Sequence, residues 1–180
     1  MNPVRDILDF WFADSSRPYW FARNDGFDAS IRERFYSIWQ QAAQSECDAW
    51  RTTLQGRLAE IIVLDQFSRN LHRNSPLAFA QDNMAVALCQ HAVSLPGFAD
   101  MGTEERHFML MPLMHSESPY IHAQAVVLFE RYTDAHALDF EYRHKAVIDR
   151  FGRYPHRNAV LGRTSTTEEL AFLQQPGSSF

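Results

Sequence analysis

Apolar side chains recur every three to four residues along nearly the whole chain, and that period leaves little room for anything but helices. Behind an Asn2-Pro3 start, suited to a cap and a first turn, Val4, Ile7, Leu8 and Trp11 share one face. From about Asp28 a second face runs through Ile31, Phe35, Ile38, Trp39 and Ala42, and a third helix is expected over Leu54–Phe67 around the apolar centre LAEIIVL. Ser75-Pro76 is expected to open a fourth helix carrying Leu77, Ala80, Met84, Leu88 and His91, stopped by LPG at 95–97. Thr103 followed by Glu104 and Glu105 starts the next, because acids suit a first turn, and Pro112 should kink or end it. Ser118-Pro119 begins a sixth, Asp139–Phe151 forms a seventh closed by Gly152, and Ser165 with Glu168 caps a short last helix.

No alternating, β-branched stretch competes for a strand. The expected architecture is therefore all-α: an antiparallel array of about seven or eight helices joined by short loops. At 180 residues without a linker or low-complexity segment, the expectation is one domain, 1–180. The 46% apolar, 22% charged composition is that of a soluble globular protein. A net charge of −5 argues against nucleic acid or a membrane surface as partner. MNPVRDILDF carries Asp6 and Asp9 and no small-residue cleavage site, so it does not read as a signal peptide, and a cytoplasmic location is expected. Cys47 and Cys89 lack metal-ligand spacing and read as reduced thiols. No glycine-rich phosphate loop or dinucleotide fingerprint is present, so neither cofactor nor resident metal is expected.

The chain repeats one motif. DQFSRNLHRN at 65–74 and DRFGRYPHRN at 149–158 share D-x-F-x-R-x-x-H-R-N, six identities in ten positions, each behind an apolar helical stretch. Asp65 and Arg69, like Asp149 and Arg153, stand four apart and are expected to pair along a helix face. Phe67 and Phe151 would anchor the helix ends. His72, Arg73, His156 and Arg157 would follow past the C-termini, where the helix dipole favours cations, with Asn74 and Asn158 placed to cap what comes next. Sixteen of the seventeen cationic residues are Arg, which codon bias alone would explain; their placement is the informative part. Between Arg150 and Arg163 lie four arginines and no acid, so distant carboxylates such as Glu60, Asp65, Asp82 or Glu117, solvent or an anionic ligand must balance them.

A second unusual stretch is PLMHSE at 112–117. His115 and Glu117 follow a proline-marked helix end, where a histidine and a carboxylate could serve as general base and orienting acid. With His122 they could instead offer metal ligands, although the spacing fits no established zinc signature; or Glu117 and Ser118 merely start the next helix. Ser116 lacks a G-x-S-x-G frame, and neither cysteine has an activating neighbour.

LDFWF, LDQFSRN, AFAQD, PLMHSE, RFGRYPHRN and LGRTSTTEEL, in this order and spacing, resemble the bacterial domain-of-unknown-function family numbered 924 over essentially the whole chain. The resemblance implies an all-helical, tetratricopeptide-like superhelix and no established activity, substrate or cofactor. The chain departs from that family's pattern at Ser68, where Pro is usual, at His72, where an aromatic is usual, at Asn74, where Gly is common, and at Ser118-Pro119.

Three functional readings result. In the first, Asp65, Arg69, Arg73, Asp149, Arg153, Arg157 and Asn158 form a small-molecule site for a carboxylate or phosphate, enzymatic or not, with His115 or His156 moving protons and Glu117 orienting one of them. In the second, the superhelix is a module that holds a protein or peptide partner in a long groove. In the third, the motifs are structural.

Overall fold

The computed structural model describes residues 2–179, and among them there is no strand. Helix α1 is Pro3–Trp11, α2 Asp25–Ala43, α3 Leu54–Ile61, α4 Ser68–Leu71, α5 Asp82–Ala92, α6 Thr103–Met114, α7 Pro119–Tyr132, α8 Ala135–Phe151 and α9 Thr167–Leu173. Side-chain caps fix several starts: Asn2 Oδ1 accepts from Arg5 N–H, Asn24 Oδ1 from Phe27 N–H at 2.8 Å and Asp134 Oδ1 from Ala137 N–H at 2.8 Å. Gly152 ends α8 with φ of 67°, a left-handed conformation that side chains resist. Gly56 answers a different demand, since a Cβ there would sit 1.9 Å from the Trp50 carbonyl oxygen.

Between α3 and α4 the chain does not stop. Ile62–Phe67 is a π-helical segment with all six residues buried, so 54–71 runs on as one rod with a widened middle. Such a segment breaks the regular ladder, and two of its carbonyls are met by side chains of the next turn. Leu64 O accepts from Ser68 Oγ at 2.5 Å and Asp65 O from Arg69 Nη1 at 2.7 Å. Trp39 Nε1 donates to the same Ser68 oxygen at 2.8 Å, tying α2 to the rod.

The rod is the centre of the core. Helix α1 lies on α3, α2 on the π segment and α4, and α5 on α3, while α5 to α8 pack as consecutive neighbours. Leu58, Ile61, Ile62, Leu64 and Phe67 are fully buried; Phe10, Trp11, Phe35 and Phe108 close around them with ring centroids 5.2 to 6.3 Å apart. Pro112 lies inside α6 two residues before its end, where it neither ends nor interrupts the helix.

Several sequence boundaries shift. The fourth helix starts at Asp82, because Ser75-Pro76 caps only a short 3₁₀ turn, Pro76–Ala78. Helix α8 starts at Ala135 behind the Asp134 cap, four residues before the expected Asp139. The last capping box uses Thr166 and Glu169, one residue later than Ser165 and Glu168. The largest difference lies in the repeated motif: the first copy continues through Ser68 into α4, whereas the second stops at Gly152.

Candidate functional site

The widened turn of the rod carries Asp65, a carboxylate with no solvent exposure. Three groups meet it. His115 Nδ1 lies 2.7 Å from Oδ1, Arg69 Nη1 lies 3.1 Å from the same oxygen, and Gln66 Nε2 donates to Oδ2 at 2.5 Å. Arg69 reaches the backbone carbonyl of Asp65 as well. His115 comes from the residue just past α6, so packing of α6 on the rod delivers it to Asp65.

Arg69 turns its remaining donors on Asp82, the first residue of α5, holding both carboxylate oxygens at 3.0 and 3.1 Å. Arg157, from the 3₁₀ turn Pro155–Arg157, gives Nη1 to Asp82 Oδ2 at 3.1 Å and Nη2 to the His115 carbonyl at 3.0 Å. Its guanidinium carbon lies 4.5 Å from the Phe79 ring centre and 4.6 Å from that of Tyr154. The result is one compact cluster drawn from the rod, α5, the end of α6 and the 155–157 turn. His115 keeps 12% of its side-chain exposure and Arg69 21%, so the cluster reaches the surface at these two residues.

The electrostatics follow from burial and pairing. Burial alone would raise the Asp65 carboxyl, but Arg69 and His115 outweigh it and hold the group below the ordinary carboxylate range. Burial, with the Arg69 charge, pushes His115 below an ordinary imidazole despite Asp65. An ionised carboxylate can only accept, so His115 Nδ1 carries the proton and the neutral ring presents the lone pair of Nε2. Nε2 makes no hydrogen bond with any described residue.

Other expected members lie apart. Arg73 pairs with Asp28 on α2, helped by Asn70, which donates to Asp28 Oδ1 at 2.7 Å. Arg153 binds both oxygens of Glu169 on α9 at 2.6 and 2.8 Å, not Asp149, because Gly152 has already ended the helix that would have aligned the two. Asp149 is half exposed and pairs with Lys145 at 2.5 Å. Asn158 caps no helix: its Oδ1 accepts from Arg163 at 2.9 Å and its Nδ2 donates to Ser165. Asn74 takes a left-handed φ of 60°.

Glu117 does not orient His115. It binds Arg163 at 2.6 and 2.9 Å and accepts from Tyr154 N–H at 2.7 Å; the carboxylate at the His115 ring is that of Asp65. The His156 ring lies 5.5 Å from that of Tyr154 at a tilt of 36°, its pKa pushed down to about 4 by burial and then by Arg157. His122 has both ring nitrogens engaged, by Glu141 at 2.7 Å and the Ser116 carbonyl at 2.9 Å. Among the described residues no three His, Cys, Asp or Glu side chains are placed to hold a metal.

The four arginines of 150–163 thus meet distant carboxylates: Arg150 with Glu168, Arg153 with Glu169, Arg157 with Asp82 and Arg163 with Glu117. Asp82 was legible as a possible counter-charge and within AFAQD, whereas Gln66, Phe79 and Tyr154 lie inside the quoted stretches without having been given a role. Two surface clefts, of about 810 Å³ beside Phe12 and Gly102 and about 470 Å³ between α8 and Phe172, both lie away from the cluster.

Residues 7–177 match the family described as bacterial protein of unknown function (DUF924). The solved structure of a protein of unknown function from Agrobacterium tumefaciens superposes with a TM-score of 0.90 at 30% identity, covering 95% of this chain and 96% of that one. No match was found among curated proteins. No helix among the described residues is long and apolar enough to cross a membrane.

Proposed function

Because the chain belongs to DUF924, a bacterial family of unknown function, its relatives lend it no activity, and we propose from geometry that the Asp65–His115–Arg69–Arg157 cluster is a small-molecule site for an anion. The observation that carries this reading is the His115 ring, fixed at Nδ1 by a fully buried carboxylate while Nε2 has no hydrogen-bond partner among the described residues. A histidine held that way accepts a proton at a defined place, as general bases do. Two guanidinium groups stand beside it, suited to a carboxylate or phosphate. Arg69 and Arg157 meet at one point rather than lining a long groove, which favours a small molecule over a peptide.

The test is a titration of inorganic phosphate, acetate and small hydroxy acids into the protein, read by the His115 ring-proton resonances and by thermal shift. An anion that moves both in the parent and loses its effect in Arg69→Gln and His115→Gln supports the site. Identical responses in parent and variants sink it.

One feature favours a structural role instead: Arg69, Arg73, Arg153 and Arg157 all have carboxylate partners within the chain. On that reading the variants lose stability, and no anion restores any of it.

A further inference from the structure

Asp82 is held as a ligand would be held. Its two oxygens face the fork of Arg69 at 3.0 and 3.1 Å, and Oδ2 takes a third bond from Arg157. The Phe79 ring flanks both guanidinium groups, 5.6 Å from Arg69 and 4.5 Å from Arg157. Among the described residues these arginines supply all the side-chain bonds Asp82 makes. It caps no backbone N–H, although it is the first residue of α5.

We propose that Asp82 is an internal stand-in for the ligand's own carboxylate, so that the site takes a small monocarboxylate and opens when Asp82 swings out. The proposal rests on the reading of this cluster as an anion site and adds its ligand class and its closed state.

Three observations carry it. The first is charge. Arg69 and Arg157 are balanced by Asp65 and Asp82, with His115 neutral, so removing the Asp82 carboxylate leaves one positive charge. A monoanion restores neutrality, whereas a phosphate dianion leaves an excess negative charge in a buried place. Planarity also fits, since a guanidinium fork matches the two coplanar oxygens of a carboxylate.

The second is release. Asp82 follows the turn at 79–81, and only its own N–H, bonded to the Phe79 carbonyl at 3.2 Å, ties it backwards. Side-chain rotation therefore frees the carboxylate without breaking the helical ladder of α5. The third is an unmet donor: Arg157 is 95% buried by its 5% exposure, and its Nε has no hydrogen-bond partner among the described residues. Asp82, bound at Nη1, does not reach it, because Nε lies on the Nη2 edge beside the His115 carbonyl; that donor is left for a further polar atom of a ligand larger than the Asp82 carboxylate.

The experiment compares wild type with Asp82→Ala and Asp82→Asn, using acetate and lactate as probes and inorganic phosphate at equal ionic strength as comparator. Binding is read by calorimetry and by the His115 ring resonances. An internal competitor lowers apparent affinity by the fraction of open molecules, so acetate should bind D82A about tenfold tighter than wild type, or more. Acetate should still shift His115 in wild type at higher concentration, and lactate, with its extra hydroxyl, should bind more tightly than acetate. Phosphate should gain less than either. Acetate affinity unchanged in a folded D82A, or wild-type His115 unmoved by acetate, overturns the stand-in. If phosphate then still moves His115, the anion site survives without it; if no anion moves His115 in any variant, both fail. Should D82A and D82N not fold alone, recovery in acetate but not in phosphate or chloride supports the proposal, and recovery in none overturns it.

Discussion

His115 Nδ1 sits 2.7 Å from Asp65 Oδ1, a contact between residues fifty apart that joins the end of α6 to the π-helical turn of the central rod. The carboxylate also carries Arg69 and Gln66, so it neutralises a buried cation while fixing a tautomer. Asp65→Asn keeps the shape but removes the charge, leaving Arg69 short of a counter-ion. We expect a loss of about 3–5 kcal/mol in urea unfolding, the range for breaking one side of a buried pair. Asp149→Asn, at the same position of the second motif copy, removes only a half-exposed pair with Lys145. Its cost should stay within about 0.5 kcal/mol. Equal costs would mean that the two aspartates do the same job after all.

That asymmetry marks what the sequence could and could not reveal. The all-helical class was legible because Ile31, Phe35 and Trp39, or Ile7 and Trp11, keep strict helical spacing and are all buried. The shared motif was legible too, yet its copies sit in different backbones. Ser68 lets the first copy continue as helix, placing Arg69 one turn beyond Asp65; Gly152 stops the second, turning Arg153 towards α9. The meeting of Asp82, Arg157 and His115 depends on three elements brought together by packing, and no local spacing encodes it. The π turn left no trace either, since LAEIIVLDQF reads as ordinary buried helix.

Buried histidines should make the fold sensitive to mild acid. Burial pushes His144 down to about 3 and His156 down to about 4, against an unfolded value of about 6.5. Between those limits the unfolded chain binds protons that the native state refuses, so stability rises with pH there. The contribution is full above the unfolded value and declines as pH falls towards the folded ones. Asp65, with its depressed carboxyl, adds loss in the same direction, but only below the unfolded carboxylate value of about 4. Urea midpoints should therefore fall steadily from about pH 6.5 downwards, and His156→Gln should flatten the stretch above about pH 4. A slope untouched by that substitution would remove His156 as a source.

Tyr154 is fully buried, and its hydroxyl donates to the Met114 carbonyl at 2.5 Å, one residue before His115. Tyr154→Phe leaves that carbonyl facing an apolar edge, which should cost about 1–3 kcal/mol. Because the bond anchors the end of α6, amides of 114–117 should lose hydrogen-exchange protection more than those of the rod. Uniform loss across both would show that the hydroxyl supports the core generally and does not hold His115 in place.

Arg153 has a narrower task, to fasten α9. It binds both oxygens of Glu169 and the Thr164 carbonyl at 3.0 Å, while Glu169 also accepts from Thr166 N–H at 2.7 Å in the capping box. A helix of seven residues is marginal by itself, so its order depends on such attachments. Arg153→Ala leaves Glu169, only 2% exposed, without its cation and should lower stability. The effect should be local: amides of 166–173 exchange quickly, while 54–71 keep their protection, because Arg153 bonds Glu169 and the Thr164 carbonyl and, among the described residues, nothing on the rod. Placing Lys at the position tests the geometry separately, since a single ammonium cannot serve both carboxylate oxygens and the carbonyl as the fork does. Full retention of α9 protection in Arg153→Ala would show that Phe172 packing on Phe151, at 5.1 Å, is enough to hold the helix.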